Sequence, residues 1–505
     1  MPKALISVTD KTGAVELAHT LTNHGYDVLS TGGTGRLLKE NGIHVVEIAQ
    51  FTGSPEMLGG RVKTLHPRVF GGILGRPDLD DEEFRTHGLE QISIVVVNLY
   101  EFSKSIREAG TTPTEAMEQI DIGGVSLIRA AAKNREHVLV VVDPNDYEDV
   151  SERISADQID AEFRASMAAK AFRHTAAYDA EIARYLSANE KFPERLTLTY
   201  ERDAVMRYGE NPHQDAAYYL DASRHGALEQ LQGKALSYNN IADTDAALQC
   251  LQGLTEPACA IVKHANPCGL AIGTSLLDAY MKAFRTDPTS AFGGIIAFNQ
   301  ELDAATIEHI LDNQFAEVIA APNIDAKVQY VAKRKKALRL ITLSKDQSSN
   351  TGLSVNTVAN GALVQDVDSF ELSIAEWSIL TDRAPSPVEE RDLRFAWHVV
   401  KHVKSNAIVF AHDRTTTGIG AGQPNRVVSV RIAAMRMKEE GLGDSGCVMA
   451  SDAFFPFRDS LDHAAEAGVT AVIQPAGSIR DDEVVAACNE HDMAMVATGI
   501  RHFRH

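Results

Sequence analysis

An adjacent lysine and histidine, Lys263 and His264, follow the apolar run Ala260-Ile261-Val262 and precede Ala265-Asn266-Pro267-Cys268-Gly269. A cation beside an imidazole disfavours a second charge and keeps the ring neutral, the state a general base needs. A lone histidine at such a place is more often structural, so the pairing carries the signal. Further polar clusters punctuate the same half of the chain. They are Arg207-Tyr208-Gly209-Glu210-Asn211-Pro212-His213-Gln214, Leu236-Ser237-Tyr238-Asn239-Asn240-Ile241-Ala242-Asp243, Asp287 to Gly294, Ser405-Asn406, Gly418 to Arg426, Ser451 to Arg458 and Gly499 to Phe503.

The first half holds a second set of candidates. Tyr26 to Ser30, then Thr31-Gly32-Gly33-Thr34-Gly35, then Arg36-Leu37-Leu38-Lys39 reads as strand, glycine-rich turn and helix. Glycines let backbone N–H groups converge on an anion, and a helix N-terminus adds unpaired donors and a favourable dipole. The string is neither a Walker motif nor G-x-G-x-x-G, so on its own it fits phosphate binding and an ordinary tight turn equally. Ser7, Thr9 and Lys11 stand at the end of the first strand, where they can add donors to the same sheet edge. Gly59-Gly60-Arg61-Val62-Lys63-Thr64-Leu65-His66-Pro67-Arg68 packs three cations and a hydroxyl into what reads as a loop. Tyr100 follows the buried run Ile94 to Leu99, Asp121-Ile122-Gly123-Gly124 lies between two expected helices, and Lys133-Asn134 ends the second. Asp121 and Lys133 also read as a helix N-cap and a C-terminal dipole partner.

The elements that must position these residues follow from length and pattern. A chain of 505 residues exceeds what one core organises, so two or three domains are expected. Ala4–Val8, a helix from about Gly13, Tyr26–Ser30, a helix from Gly35, Val45–Ile48, Ile92–Asn98 and His137–Val142 alternate as a doubly wound α/β domain does, with its ligand site at the carboxyl ends of the strands. Residues 151–190 read as helices, and Ser187 to Pro193 as a boundary. The expected division is 1–195, with a core over 1–147 and a helical connection, followed by 196–505. The second part is expected to split near the polar break Ser348-Ser349-Asn350-Thr351-Gly352 into subdomains of about 196–350 and 351–505. Cys447–Ser451, Val469–Gln474 and Met493–Ala497 read as strands, Lys333-Arg334-Lys335-Lys336 as a helical basic stretch, and no fixed-period repeat is visible.

Composition excludes several classes. With 44% apolar and 23% charged residues and no apolar run near the ~20 residues that span a bilayer, a soluble chain is expected, without a membrane partner. A net charge of −20 disfavours nucleic acid, whose backbone is bound by exchanging counterions for Lys and Arg. Met1 to Val8 lacks the features of a secretion signal, so the cytoplasm is the expected compartment. The five cysteines never form C-x-x-C and are expected as free thiols.

The strings VTDKTG, STGGTG, GGRVKTLHP, NLYEF, QIDIGG and RAAAKN, in this order, resemble the inosine monophosphate (IMP) cyclohydrolase domain, a methylglyoxal-synthase-like fold. The resemblance implies nucleotide and phosphate binding by Ser7, Lys11, Ser30, Thr31, Gly32, Gly33 and Thr34. It places Lys63, Tyr100, Asp121 and Lys133, with Arg61 and Thr64, around the reacting groups. From about residue 200 onward the polar clusters resemble the aminoimidazole carboxamide ribonucleotide (AICAR) transformylase domain, built of two cytidine-deaminase-like subdomains. By that resemblance Lys263 and His264 are the catalytic pair, while Arg207, Tyr208, Asn406, Arg426, Phe454 and Arg501 bind the nucleotide or the reacting centre. Glu317 takes a substrate-binding position that is aspartate in some relatives, and Phe70 stands where many relatives have histidine.

The chain as a whole thus resembles a bifunctional family of late purine biosynthesis. The family's chemistry implies formyl transfer from 10-formyltetrahydrofolate to AICAR, then closure of the formylated nucleotide (FAICAR) to IMP with loss of water. Asp121 would orient or deprotonate the attacking amide, Lys63 and Tyr100 would serve the departing oxygen, His264 would deprotonate the amine, and Lys263 would stabilise charge or protonate the folate nitrogen. The resemblance further implies a homodimer. Cys268 is not followed by a second cysteine at the spacing of P-C-x-x-C and no H-x-E precedes it, so no catalytic metal is expected. A deaminase, a methylglyoxal-synthase-like lyase and a nucleotide-sensing regulator are the competing readings.

Overall fold

Five short runs rich in Val, Ile and Leu make the first sheet: β1 (Lys3–Ser7), β2 (Asp27–Ser30), β3 (Val45–Glu47), β4 (Ile92–Val97) and β5 (Leu139–Val141). All pair in parallel in the order β3-β2-β1-β4-β5. Parallel pairing needs crossover helices on the faces, which is why β4 and β5 are apolar almost throughout. Leu5, Leu29, Val95 and Val97 enter one core, and Ala4, Ile6, Val28 and Val96 enter the other. The strand order reverses between β1 and β4, and such a switch point opens a crevice at the strand carboxyl ends.

The computed structural model describes residues 1–107, 110–221, 228–343, 352–369, 377–443 and 446–505. The chain forms two units, Met1–Thr199 and Tyr200–His505, so the division falls four residues beyond the expected 195. The segment read as a helical connection is two helices, Tyr147–Ala156 and Ala161–Leu186, and the longer one packs on β5 and on the helix Gly123–Lys133. Asp160 starts it by accepting the Phe163 N–H, an N-cap that satisfies one of the orphan amides.

The second unit begins with the antiparallel hairpin β6 (Tyr200–Met206) and β7 (Ala216–Asp221). Then follow β8 (Leu228–Gln232), β9 (Ala258–Lys263), β10 (Asn266–Ile272), β11 (Ile295–Phe298), β12 (Val318–Ala321) and β13 (Arg339–Leu343). A separate hairpin, β14 (Leu353–Val358) and β15 (Gly361–Asp366), precedes β16 (Ser378–Ile379), β17 (Ile408–His412), β18 (Thr415–Gly420), β19 (Cys447–Ser451), β20 (Val469–Gln474) and β21 (Ala494–Ala497). Twelve of these strands form one sheet, β16-β21-β20-β19-β17-β18-β10-β9-β11-β12-β13-β8.

This order reads as the same series from either edge. Each half has a short antiparallel edge strand, three parallel strands and an antiparallel hairpin, and the two hairpins meet at the β10–β18 seam. The chain order repeats too: edge strand, helix (Tyr238–Leu251 or Pro387–Val400), hairpin, helix (Leu276–Thr286 or Arg426–Glu439), then three alternating strands. Equivalent glycines show how closely the halves correspond. A Cβ on Gly269 of β10 would stand 2.0 Å from the Ala283 carbonyl oxygen, and one on Gly418 of β18 would stand 2.2 Å from that of Ala433. In both halves the second helix therefore lies against bare backbone.

The seam has a single ladder pair, Ala271 with Thr415, and a threonine does much of the stitching. The Leu270 N–H donates to Thr416 Oγ1 (2.9 Å), which also lies 3.1 Å from the Leu270 carbonyl, and Thr286 Oγ1 donates to the Thr416 carbonyl (2.6 Å). Thr286 and Thr416 are fully buried, so these bonds act where water does not compete.

Several local expectations are corrected. The run Gly32 to Gly35 is the first turn of the helix Gly32–Glu40, with Thr31 before it, because glycine accepts φ +47 at Gly32. Pro67 and Arg68 open the helix Pro67–Leu74, proline suiting a first turn where its missing N–H is not needed. The Lys333 to Lys336 run follows the helix Ala326–Ala332 instead of lying in it. The repeat that no sequence period revealed is present in the architecture. Of the polar break at 348–352, only Gly352 is among the described residues.

The glycine contacts give a direct test. Gly269→Ala and Gly418→Ala should each lower stability by about 1–3 kcal/mol, because the helix must move off the strand. Urea denaturation of both variants measures this, and unchanged midpoints would contradict the contact.

Candidate active sites

In the first unit the candidates gather at the carboxyl ends of β1, β2 and β4. Asn98, one residue past β4, accepts the Thr9 and Asp10 N–H groups (2.6 and 3.1 Å) and donates to the Asp10 carbonyl (2.8 Å). That staple fixes the loop carrying Lys11. No side chain caps the helix Gly32–Glu40, so its first amides face outward beside the exposed Gly32 and Gly33. Lys63 Nζ lies 3.3 Å from where a Gly32 Cβ would be, and Lys11 Nζ 4.0 Å from where a Gly33 Cβ would be. Two ammonium groups and a helix N-terminus thus converge on one small space, a suitable cradle for a phosphate. Ser7 Oγ and Thr31 Oγ1 sit 3.3 Å apart at its rim.

Two of the expected residues use their hydroxyls elsewhere. Ser30 is fully buried and donates to the Ile6 carbonyl (2.6 Å), while Thr34 Oγ1 accepts from the Val8 N–H (3.1 Å) and donates to the Val8 carbonyl (2.9 Å). Both hydroxyls tie β2 and its helix to β1, so their side chains do not face the cradle.

Asp121 stands at the N-terminus of the helix Gly123–Lys133, where Oδ1 accepts the Gly124 N–H (2.7 Å). The N-cap position itself is Ile122, so Asp121 stands one residue ahead of it and reaches the helix amides from there. Burial raises its pKa above the ordinary aspartate value, against the lowering effect of the Gly124 and Gly123 amides. Thr64 Oγ1 lies 3.1 Å from where a Gly123 Cβ would be, which brings the Lys63-Thr64 strand of loop to the same helix end. Tyr178 accepts the Asp121 N–H (2.8 Å) and donates to the Gln119 carbonyl (3.2 Å), and burial pushes its phenol up to about 12. Tyr100 is about half exposed and close enough to Tyr178 to add to that shift. Lys63 also meets Glu56 (3.3 Å), and Arg61 pairs with Glu118 at the exposed border.

Lys133 does not join this group. The helix it ends has 11 residues, so about 15 Å separates it from Gly123, and Asp121 lies two residues before that. It lines instead a groove of about 700 Å³ with Phe70, Leu74, Arg129, Arg135 and Phe172.

In the second unit the pseudo-symmetric sheet gathers the candidates along one rim. The start of β11 pairs with the end of β9, since Ile295 lies opposite Val262, so Lys263, His264 and Glu317 share that rim. Across the seam the same rim continues through the end of β18, the start of β17 and the end of β19. There stand Asn406 before β17, Arg426 after β18, and Phe454 after β19, with Arg501 beyond the end of β21. A cavity of about 200 Å³ beside the seam is lined by Lys263, His264, Asn266, Asp287, Ala421 and Arg436.

Lys263 Nζ donates to the Phe292 carbonyl (2.9 Å), beside the exposed rings of Phe292 and Phe315, whose centroids are 5.6 Å apart. Glu317 is held by Asn240 Nδ2 and an Arg339 guanidinium nitrogen, each at 3.2 Å. Arg207 and Tyr208 follow β6, with the guanidinium 5.7 Å from the ring, in a turn closed by the Gly209 N–H on the Gln214 carbonyl (2.7 Å). Arg426 is buried; one terminal nitrogen meets Asp452 and Ser451 Oγ (2.9 Å), and the other donates to Asn406 Oδ1 (2.7 Å). Asp452 is fully buried and also receives the Ser405 hydroxyl, so it anchors the pair that the sequence singled out. Arg501 stacks over Phe503 at 4.3 Å.

Asn98, Tyr178 and Asp452 were not candidates in the sequence. Asn98 and Asp452 lay inside quoted strings, NLYEF and the Ser451 run, and were read there as strand or backdrop. Tyr178 carried no local signal, because its partners, Asp121 and Gln119, lie in a loop far earlier in the chain. Burial pushes the Cys268 thiol up to about 12, and among the described residues no three His, Cys, Asp or Glu side chains are grouped to share a metal ion.

A cation-lined helix N-terminus at the switch point of a parallel sheet, and a lysine–histidine rim on a duplicated sheet, give each unit its own candidate active site, the arrangement of a two-centre enzyme. Known families agree with both: the MGS-like domain matches residues 13–126, and the AICARFT/IMPCHase bienzyme matches residues 131–436. The chain belongs to the AICARFT/IMPCHase bienzyme family and is a bifunctional enzyme of purine biosynthesis, with AICAR formyltransferase and IMP cyclohydrolase activities. Among solved structures, one titled "Crystal structure of ForH" is 38% identical over 38% of this chain and 99% of that chain, with a TM-score of 0.35, too low to carry an argument. No helix among the described residues is long and apolar enough to cross a membrane.

The Asp121 environment predicts a pH dependence. A carboxylate that works ionised, with its pKa raised by burial, loses function as pH falls through that raised value. The acid limb of ring closure should therefore lie above the ordinary aspartate value of about 3.9. Measuring the rate on supplied FAICAR from pH 4 to 8 tests this, and Asp121→Asn should remove both the limb and most of the rate.

Proposed function

We propose that the first unit closes the ring, that the second transfers the formyl group from 10-formyltetrahydrofolate, and that each reaction uses the residues gathered in its own unit. The observation that carries the assignment is the distribution of cations: Lys11 and Lys63 meet at a helix N-terminus in one unit, and Lys263 beside His264 stands on the rim of the other.

In ring closure the carboxamide nitrogen attacks the formyl carbon of the same molecule. The enzyme must hold a folded conformer and stabilise the alkoxide that develops. With a phosphate held by Lys11 and the amides at the Gly33 helix end, Lys63, on the Gly32 side and next in sequence to Thr64, is left for the reacting end of the nucleotide together with Asp121. Asp121, more basic than an ordinary aspartate, takes the proton of the attacking nitrogen. Lys63 offsets the alkoxide charge, and Tyr100 can give a proton to the oxygen that leaves as water. Lys133, at the far end of its helix, is left out of this step within one chain.

In formyl transfer the nucleophile is a weak amine, its lone pair delocalised into the ring. His264 takes its proton as nitrogen bonds to the formyl carbon. Lys263 stabilises the tetrahedral oxyanion or passes a proton to the departing folate nitrogen. The exposed Phe292 and Phe315 rings beside Lys263 suit an aromatic folate head group, and the Asn406, Arg426 and Arg501 side of the rim suits the anionic nucleotide. The two halves of the second unit are read as cytidine-deaminase-like subdomains, and the working form as a cytoplasmic homodimer acting on AICAR, FAICAR and IMP without nucleic acid, membrane or catalytic metal.

The assignment is tested by separating the activities. His264→Ala should lower formyl transfer by roughly 10²- to 10⁴-fold while closure of supplied FAICAR continues, and Lys63→Ala should do the reverse. Each intermediate must be supplied directly, with circular dichroism on both variants. Loss of ring closure in folded His264→Ala would overturn the division of labour.

A further inference from the structure

The β9–β10 and β17–β18 hairpins turn in the same unusual way. Lys263 pairs with Asn266 and His412 with Thr415, which leaves two-residue loops, His264-Ala265 and Asp413-Arg414. All four loop residues have positive φ: 55° and 56° in the first, 45° and 51° in the second. Two-residue turns of this kind suit the twist of paired strands, but they favour Asn, Asp and Gly, and none of the four is glycine.

Each turn is held by one aspartate from the helix that precedes its hairpin. Asp243, on the helix Tyr238–Leu251, accepts the His264 N–H (3.0 Å) and the Ala265 N–H (2.7 Å). Asp392, on the helix Pro387–Val400, accepts the Asp413 N–H (2.8 Å) and the Arg414 N–H (3.0 Å). One carboxylate spanning two successive amides fixes a peptide plane and favours a turn that side chains otherwise oppose.

The two turns differ in what they carry and where they point. Asp413 is spent on Lys282 and Arg391, and Arg414 on Glu256. In contrast, among the described residues the His264 ring makes no hydrogen bond, and its carbonyl receives Asn266 Nδ2 (3.3 Å), whose Oδ1 in turn accepts the Lys404 N–H (3.0 Å). The two-fold character of the sheet puts the Asp413 turn on the opposite rim, away from Asn406 and Arg426.

We propose that Asp243 is a positioning residue for formyl transfer: by gripping both amides of the His264-Ala265 turn it sets where the imidazole stands. Asp392 does the same mechanical work for a turn that holds no reacting group. The proposal rests on the reading of His264 as the base, and the duplicated sheet supplies its own control.

The experiment compares Asp243→Asn, Asp392→Asn and His264→Ala in the full chain. It measures kcat and nucleotide KM for formyl transfer, closure of supplied FAICAR and thermal midpoint. An asparagine keeps one acceptor and puts an N–H where the second was, so both aspartate variants should lose stability. Only Asp243→Asn should lower kcat for formyl transfer, by roughly 10- to 100-fold, the scale of a base displaced by about an ångström. Its nucleotide KM and its ring closure should stay within a factor of about two, since the groups holding the nucleotide are elsewhere on the rim. If Asp243→Asn does not fold, Asp243→Asn with Ala265→Gly replaces it, because glycine takes positive φ without support. A folded variant whose kcat matches that of Asp392→Asn overturns the proposal. His264→Ala with undiminished transfer would instead overturn the reading of the base, so the two failures are distinguishable.

Discussion

The second unit depends on a seam that has almost no ladder of its own. Where β10 meets β18, one backbone pair is made, and the hydroxyl of Thr416 takes over as partner for both polar groups of Leu270. Thr286 reaches in from the helix behind β10 to hold the Thr416 carbonyl. Because the strands run antiparallel across this line, the amino end of β11 and the carboxyl end of β19 come to the same side. Lys263 and His264 from one repeat thereby face the region of Asn406 and Arg426 from the other. Neither repeat has the whole set, so a buried cluster of threonines is what makes a single rim out of two half-sheets.

The first unit solves a similar problem by a different route. A parallel sheet with a reversal of strand order leaves a crevice, and the polar residues around it do one of two jobs. Ser30, Thr34 and Asn98 are consumed in holding β1, β2 and the loop after β1 in register. Lys11 and Lys63 are left at the space that results, and Thr64 stands with Asp121 at the start of the helix Gly123–Lys133. Within one string, Ser30 and Thr34 thus turn their hydroxyls to the backbone of β1 and its following loop, while Thr31 between them stands beside Ser7 at the rim.

That distinction marks what the sequence could disclose. Runs such as Ile92–Val97 and Val469–Gln474 announce themselves as covered strands because apolar residues occupy both faces. Local strings also locate Lys63, Asp121, Lys263 and His264. What stays hidden is every partnership between distant segments: Asn98 with Thr9, Tyr178 with Asp121, Arg426 with Asp452. The duplication is hidden for the same reason, since the corresponding strings Val262 to Gly269 and Ala411 to Gly418 share hardly more than the glycine that each helix requires. Lys133, brought into the set by family resemblance alone, stands at the far end of the helix that follows Asp121.

The doubled sheet has a consequence for how such a protein can change. In an assembly of two identical half-sheets, any substitution appears twice, once on each rim, and a residue that improves chemistry on one side is imposed on the other. Joining the halves in one chain removes that obligation. The turn after β9 can hold His264 while the turn after β17 holds Asp413 and Arg414, both shaped by the same aspartate grip. Covalent linkage thus releases one copy to specialise for catalysis while the other remains free to be recruited as scaffold, without either giving up the geometry they have in common.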